Sequence, residues 1–197
     1  ENLDINKTIT LSSLAMYDNL DTWYEYDPVS GQYEITNDNI FNTIINASNP
    51  LDSNFTSGIV ARSSANNCIS PVIMGFTIRN GTGTESQVFS GTVGGGIFCV
   101  NSQIQMSDLI ITDNHIPVDG QGGGIWLYGS NIQLSDSFIE GNSAEWSGGG
   151  FFFFTCNPRF DNVVVQNNIS GFGGGGGVYT YSSHKGYVWA ELISGEK

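Results

Sequence analysis

Two kinds of side chain in this 197-residue sequence could do chemistry: carboxylates set at a long regular interval, and aromatics spaced two apart. Asp108 and Asp136 are separated by 28 residues. Two carboxyl groups about 5 Å apart are what a retaining glycosidase uses, one as acid and one as nucleophile. Asp113, Asp119, Glu140 and Glu145 form a second acidic set that could collect Ca2+, although their spacing matches no calcium loop. Asp18, Asp21, Glu25 and Asp27 around Trp23 carry the same ambiguity. The aromatic set is Phe98, Trp126, Tyr128, Phe152, Phe154, Tyr179 and Tyr181, with Arg62 upstream. Flat rings suit sugars, whose C–H faces pack on π clouds while the hydroxyls reach polar neighbours. Bases are scarce. The two histidines, His115 and His184, have no fixed partner in sequence and read as turn residues. Cys68, Cys99 and Cys156 cannot all pair within one chain, and they read as small buried hydrophobes rather than a disulfide framework.

What must position these residues is a repeat. Three glycines followed by an apolar residue occur at 94–97, 122–125, 148–151 and 175–178, at spacings of 28, 26 and 27. Twelve of the 26 glycines belong to these triplets, so the glycine bias is mostly the repeat. They are not phosphate loops, since no Lys-Ser/Thr pair completes such a motif. With the first glycine as position 0, position 17 holds Ile111, Ile139 and Val165, and position 20 holds Asn114, Asn142 and Asn168. Apolar alternation of period two at positions 3–6, 10–12 and 15–18 reads as three strands per unit. There is no room for a hairpin return. The chain is therefore expected to coil, each strand pairing in parallel with its counterpart about 4.8 Å away.

Turn chemistry agrees. Position 14 holds Gly75, Asp108, Asp136 and Asn162, the residue types that best tolerate a left-handed backbone. A bend there accounts for all four, whereas catalysis would account only for the two aspartates. Position 20 predicts a stack of asparagine amides bonded along the axis. Positions 3 and 5 read as inward. Positions 4 and 6 then point outward and hold Phe98/Val100, Trp126/Tyr128, Phe152/Phe154 and Tyr179/Tyr181, seven aromatics in eight places. Three readings stay open for that face: cross-rung stabilisation of the sheet, an interface covered by another part of the protein, or a platform for a ligand.

The Gly-Gly-x-Ile and (Ile/Val)-x-x-Asn pairing resembles the polymorphic outer-membrane protein repeat. Gly75-Phe76-Thr77-Ile78-Arg79-Asn80-Gly81 followed by such repeats is similar to secreted bacterial proteins with right-handed parallel β-helix repeats. The opening Glu1–Leu11 resembles an early coil of the pectate-lyase-like superfold. The resemblance covers roughly residues 1–15 and 56–185. It implies a right-handed helix, an extracellular or cell-surface setting, and a longer multidomain parent. It says little of activity, because one superfold hosts many functions. The catalytic signatures of the larger families, such as Gly-His-Gly and Arg-Ile-Lys, do not occur.

The expected fold is thus all-β, a single-stranded right-handed parallel β-helix with three strands and 26–28 residues per coil. Residues 1–197 read as one domain, a piece of a larger chain. It comprises an N-terminal coil (1–55) with a hairpin at 22–36, a coil at 56–93 with an excursion at 82–93, regular coils at 94–181, and an irregular end at 182–197. In that end Lys185 and Trp189 fall out of register. A net charge of −13, with only six Lys and Arg, repels polyphosphate and anionic membrane surfaces. No apolar run is long enough to span a bilayer. Five Asn-x-Ser/Thr sites (Asn6, Asn46, Asn54, Asn80, Asn168) would matter only in a eukaryotic secretory route. The favoured function is a non-catalytic secreted or cell-surface module that needs no cofactor. It would bind a polysaccharide or cell-surface glycan through the outward aromatics and Arg62. The alternatives are a polysaccharide lyase or glycoside hydrolase fragment, and a spacer in a large adhesin.

Overall fold

The computed structural model describes residues 2–50, 52–63 and 68–181. His184, Lys185, Trp189 and the irregular end lie outside the described residues. The chain is predominantly β with parallel sheets. Leu3–Ile5, Ile59–Arg62, Ile97–Val100, Ile125–Tyr128, Phe151–Phe154 and Val178–Tyr181 form a six-stranded parallel sheet in chain order. Its register is that of the glycine triplets: Phe98 lies opposite Trp126, Trp126 opposite Phe152, and Phe152 opposite Tyr179.

The remaining strands depart from three separate ladders. Positions 10–18 belong to one bent sheet, in which Asn131–Glu140 and Arg159–Gln166 each run through as a single strand. The bend costs no hydrogen-bonded register, because Ser135 lies opposite Asp161 before it and Ser137 opposite Val163 after it. A further short parallel ladder joins His115–Ile116, Ser143–Ala144 and Ile169–Ser170. At two residues per strand it carries too little alternation to stand out in the sequence.

Position 14 is left-handed in four successive rungs: φ is +79° at Gly75, +54° at Asp108, +47° at Asp136 and +52° at Asn162. Further bend columns run through Asn101, Gly129 and Thr155, and through Asn80, Asp113, Gly141 and Asn167. Their mixed residue types hid them from a column reading. Each triplet opens with positive φ, as at Gly122, while the later glycines are needed for closeness. A Cβ on Gly124 would stand 2.6 Å from the Gly150 carbonyl oxygen.

Inward residues from the two large parallel sheets, among them Ile97, Cys99, Ile125, Leu127, Phe151 and Phe153, form one continuous core. The asparagine column closes its corner. Asn114 Nδ2 donates to Asn142 Oδ1 (2.9 Å), and Asn142 Nδ2 to Asn168 Oδ1 (3.0 Å). The backbone N–H of Gly81 donates to Asn114 Oδ1 at 2.9 Å, extending the column by one rung. Each buried amide therefore finds partners, which is the condition for burying it at all. Asn168 is committed to this column, so its Asn-x-Ser/Thr site is structural.

Two insertions clothe the outside. Residues 13–43 leave the first rung and fold over the outward column Ile110, Phe138 and Val164. Trp23, Ala15 and Ile40 pack on that column to form a second core. This insertion contains a short 3-10 helix (Leu14–Tyr17), an antiparallel pair (Tyr24–Asp27 with Gln32–Ile35) and a helix, Asp38–Asn42. Asn37 caps that helix, its side chain accepting from the Ile40 N–H at 2.9 Å. The second insertion, residues 82–93, crosses the first sheet, and its strand Gly83–Glu85 is antiparallel to both Thr92–Val93 and Phe55–Thr56.

Candidate functional site

The expected site residues share one sheet and one face, but they divide into two rows of different exposure. The position-4 row of Val60, Phe98, Trp126 and Phe152 is buried, with Tyr179 partly covered beside it. Trp126 is 0% exposed. The cover is the chain's own excursion. Phe89 stands edge-on to Trp126, Phe152 and Phe154, with centroids 5.9, 6.1 and 5.1 Å away, and Val93 and Phe55 close the sides. The open aromatic sheet expected at this row is therefore corrected to an internal core. Apolar faces of this size seldom stay bare, and this one meets its partner in cis.

The position-6 row remains partly open: Val100, Tyr128 and Phe154 are half-buried, and Tyr181 is 54% exposed. Its rings stack along the axis, Tyr128 on Phe154 at 5.3 Å and 7°, and Phe154 on Tyr181 at 5.4 Å and 13°. Stacking of this kind spends the faces of the inner rings on one another and turns their edges outward. A sugar needs a face. The ladder is thus first of all a cross-rung sheet stabiliser.

Apolar side chains and polar partners meet at the other end of the sheet. Phe98 stacks on Trp126 at 5.3 Å and 7°, and Val60 covers its opposite side, so only a sliver of the ring reaches the surface. There the first sheet, the Asn54–Phe55 segment and residues 84–88 enclose a groove of about 620 Å3. Phe55 and Val100 supply apolar surface, and Arg62, Asn54, Glu85 and Gln87 supply polar groups. Arg62 is held from two directions: Nη2 donates to Asp4 Oδ2 at 2.8 Å, and the guanidinium lies 4.3 Å from the Phe55 ring centroid. It is about four-tenths exposed, so it keeps donors free for a ligand. Seen along the sheet, then, Arg62 and Phe98 belong to a groove, Tyr128, Phe154 and Tyr181 to an open edge, and Trp126 and Phe152 to the interior.

The carboxylates do not form a catalytic pair. Asp108 is buried under Trp23 of the first insertion, and burial, with Asp136 nearby, pushes its carboxyl above the usual carboxylate range. The Trp23 indole lies near enough to favour the charged form but short of a hydrogen bond. A substrate could not reach this acid without lifting the insertion. Asp136 accepts from Asn162 Nδ2 at 2.8 Å, so it is tied to its own column.

The second acidic set disperses into structural duties. Asp113 holds a left-handed bend, Glu140 accepts from Gln166 Nε2 (2.8 Å), and Glu145 accepts from the Asp119 N–H (2.9 Å). Among the described residues no three His, Cys, Asp or Glu side chains gather as a metal site. Around Trp23, Asp18 accepts from Asn37 and Asn39, which hold its carboxyl below the usual range, and Asp27 accepts from the backbone of its own turn. His115 Nδ1 lies 2.7 Å from Ser143 Oγ, an exposed cross-rung pair.

Burial pushes the Cys99 thiol up to about 12, and it raises Cys156 as well, so neither is a nucleophile at neutral pH. Cys156 follows Ser102 and Ser130 in one column, each bonding the carbonyl two residues before it. Cys68 is exposed and free.

Two exposed aromatics, Trp146 and Phe172, stand at the corner after the short ladder, where no repeated column marks them in the sequence. The outward column at position 16 (Ile110, Phe138, Val164) is signalled in the sequence only by an apolar residue next to the inward one. Among the described residues no helix is long and apolar enough to cross a membrane. None of the family models, curated proteins or solved structures compared with this chain matches it.

Proposed function

We propose that this chain is a right-handed, single-stranded parallel β-helix, a secreted or cell-surface module that binds glycans without cleaving them. Support for the fold comes from the parallel register repeated at each glycine triplet, the asparagine column, and the resemblance of Gly-Gly-x-Ile and (Ile/Val)-x-x-Asn to β-helix repeats. The binding reading rests on one observation. The groove at Arg62 sets the half-buried side chains of Phe55 and Val100, with the little of Phe98 that reaches the surface, against polar walls, the pairing of surfaces that a pyranose ring presents. The open edge of Tyr128, Phe154 and Tyr181 continues along the same sheet and would offer tyrosine hydroxyls to a longer chain.

A glycan array followed by calorimetry with the best oligosaccharide tests this. Binding should weaken about tenfold in Arg62→Gln, the worth of one charge-assisted hydrogen bond and its stacking. No new reducing ends should appear on incubation. A blank array would overturn the reading and leave a spacer, which the covering of the position-4 and position-16 columns by the chain's own insertions favours. Reducing-end release would instead make it an enzyme.

A further inference from the structure

Two apolar outward strips of the stack, the columns at positions 4 and 16, are each covered by an insertion of the same chain. A third is polar and bare. It lies over the second strands, where Gln105, Gln133 and Arg159 stand in register on successive rungs, with Ser107, Ser135 and Asp161 beside them. These residues, with Val72 at one end, line a groove of about 590 Å3. Gln105, Gln133, Arg159 and Asp161 are exposed, and their side chains make no hydrogen bond or ion pair with the described residues. Arg159 is therefore a cation left unspent in a chain that carries six Lys and Arg against 19 Asp and Glu.

We propose that this strip is a second binding face, distinct from the Arg62 groove, for a neutral linear glycan lying along the stack. The strip offers amide and guanidinium donors, amide and carboxylate acceptors, and hydroxyls that do both, which is the complement of a polyol. Successive rungs are about 4.8 Å apart, close to the length of one sugar residue in an extended chain, so each sugar residue meets the side-chain pair of one rung. Charge selects the neutral class. Arg159 and Asp161 cancel within the groove, and the net charge of −13 around it repels polyanions.

The inference uses the ligand class of the previous section but a different surface, so the two can fail separately. Cello-, xylo-, manno- and malto-oligosaccharides of increasing length are titrated by calorimetry into the full chain and into two variants, Gln133→Ala/Arg159→Ala and Arg62→Gln. Both alter exposed side chains, and near-ultraviolet circular dichroism confirms that they fold. One series should bind with affinity that rises with length and barely changes with salt. The double variant should lose at least tenfold, and Arg62→Gln should leave this binding intact. Absence of binding by every neutral series would overturn the proposal, as would binding indifferent to the double variant. Binding lost only in Arg62→Gln would overturn it while sparing the first groove. Preference for an acidic oligosaccharide with steep salt dependence would overturn the ligand class.

Discussion

Asp108 shows how one backbone requirement sets the chemistry of a side chain. The bend needs a left-handed residue, and Gly, Asp and Asn all meet that need. In this rung the aspartate faces the underside of Trp23 and loses its water. A carboxyl whose folded pKa is raised binds its proton more tightly in the folded state. Stability therefore falls as pH rises from the ordinary carboxylate value through the raised one, and the penalty stays at neutral pH. Asp108→Asn should remove it, because Asn162 already occupies the same column at the same φ. The expected gain at pH 7 is about 2–4 °C in Tm, what about 1 kcal/mol is worth in a chain of this length. The gain should vanish below the ordinary carboxylate pKa. Thermal melts of both proteins across pH 3–8 check this; a gain independent of pH would mean that the carboxyl is not the cause.

The excursion at 82–93 acts as an element through one side chain. Its strands Gly83–Glu85 and Thr92–Val93 are three and two residues long, too short to hold a loop in place by backbone bonds alone. Phe89 supplies the anchor by standing edge-on in the aromatic cluster, where each ring pair contributes about 0.5–1.5 kcal/mol beyond burial. Phe89→Ala should cost about 1–3 kcal/mol and open the cluster. Acrylamide should then quench a larger fraction of the tryptophan emission, since Trp126 joins the exposed Trp146, whereas Phe89→Leu should keep the fraction low. An unchanged quenchable fraction in the alanine variant would show that Val93 and Phe55 suffice to seal Trp126.

Over the whole molecule, charge and symmetry pull apart. The rungs repeat, so any acidic column places like charges one above another at rung spacing. Arg62–Asp4 is the one ion pair found among the described residues to offset them. Self-repulsion of this kind weakens with screening, and the Debye length falls to about 8 Å near 0.15 M salt. Raising NaCl from about 0.01 M to 0.15 M should therefore increase Tm by a few degrees. Sulfate and chloride at equal ionic strength, compared in the same melts, separate screening from ion-specific salting-out. A Tm that does not move with chloride would show that the acidic surface is too well hydrated for repulsion to matter.

The repeat itself was legible in the sequence because each of its requirements is local. Gly122 must take positive φ, Gly124 must let two backbones approach, position 14 must bend, and Asn142 must bond both ways along the axis. Such demands act on one residue and its counterpart a fixed number of positions away, so they leave a column. Which outward face stays open leaves no column. Alternation marks Trp126 as outward, and so it is, but only the folded chain brings Phe89 from an irregular excursion onto it. The same holds for Phe138, covered by Trp23 from a segment more than a hundred residues earlier. Side-chain direction follows from backbone geometry, which neighbours in sequence dictate. Burial depends on what else arrives, and arrival is settled by packing between segments that no spacing rule connects.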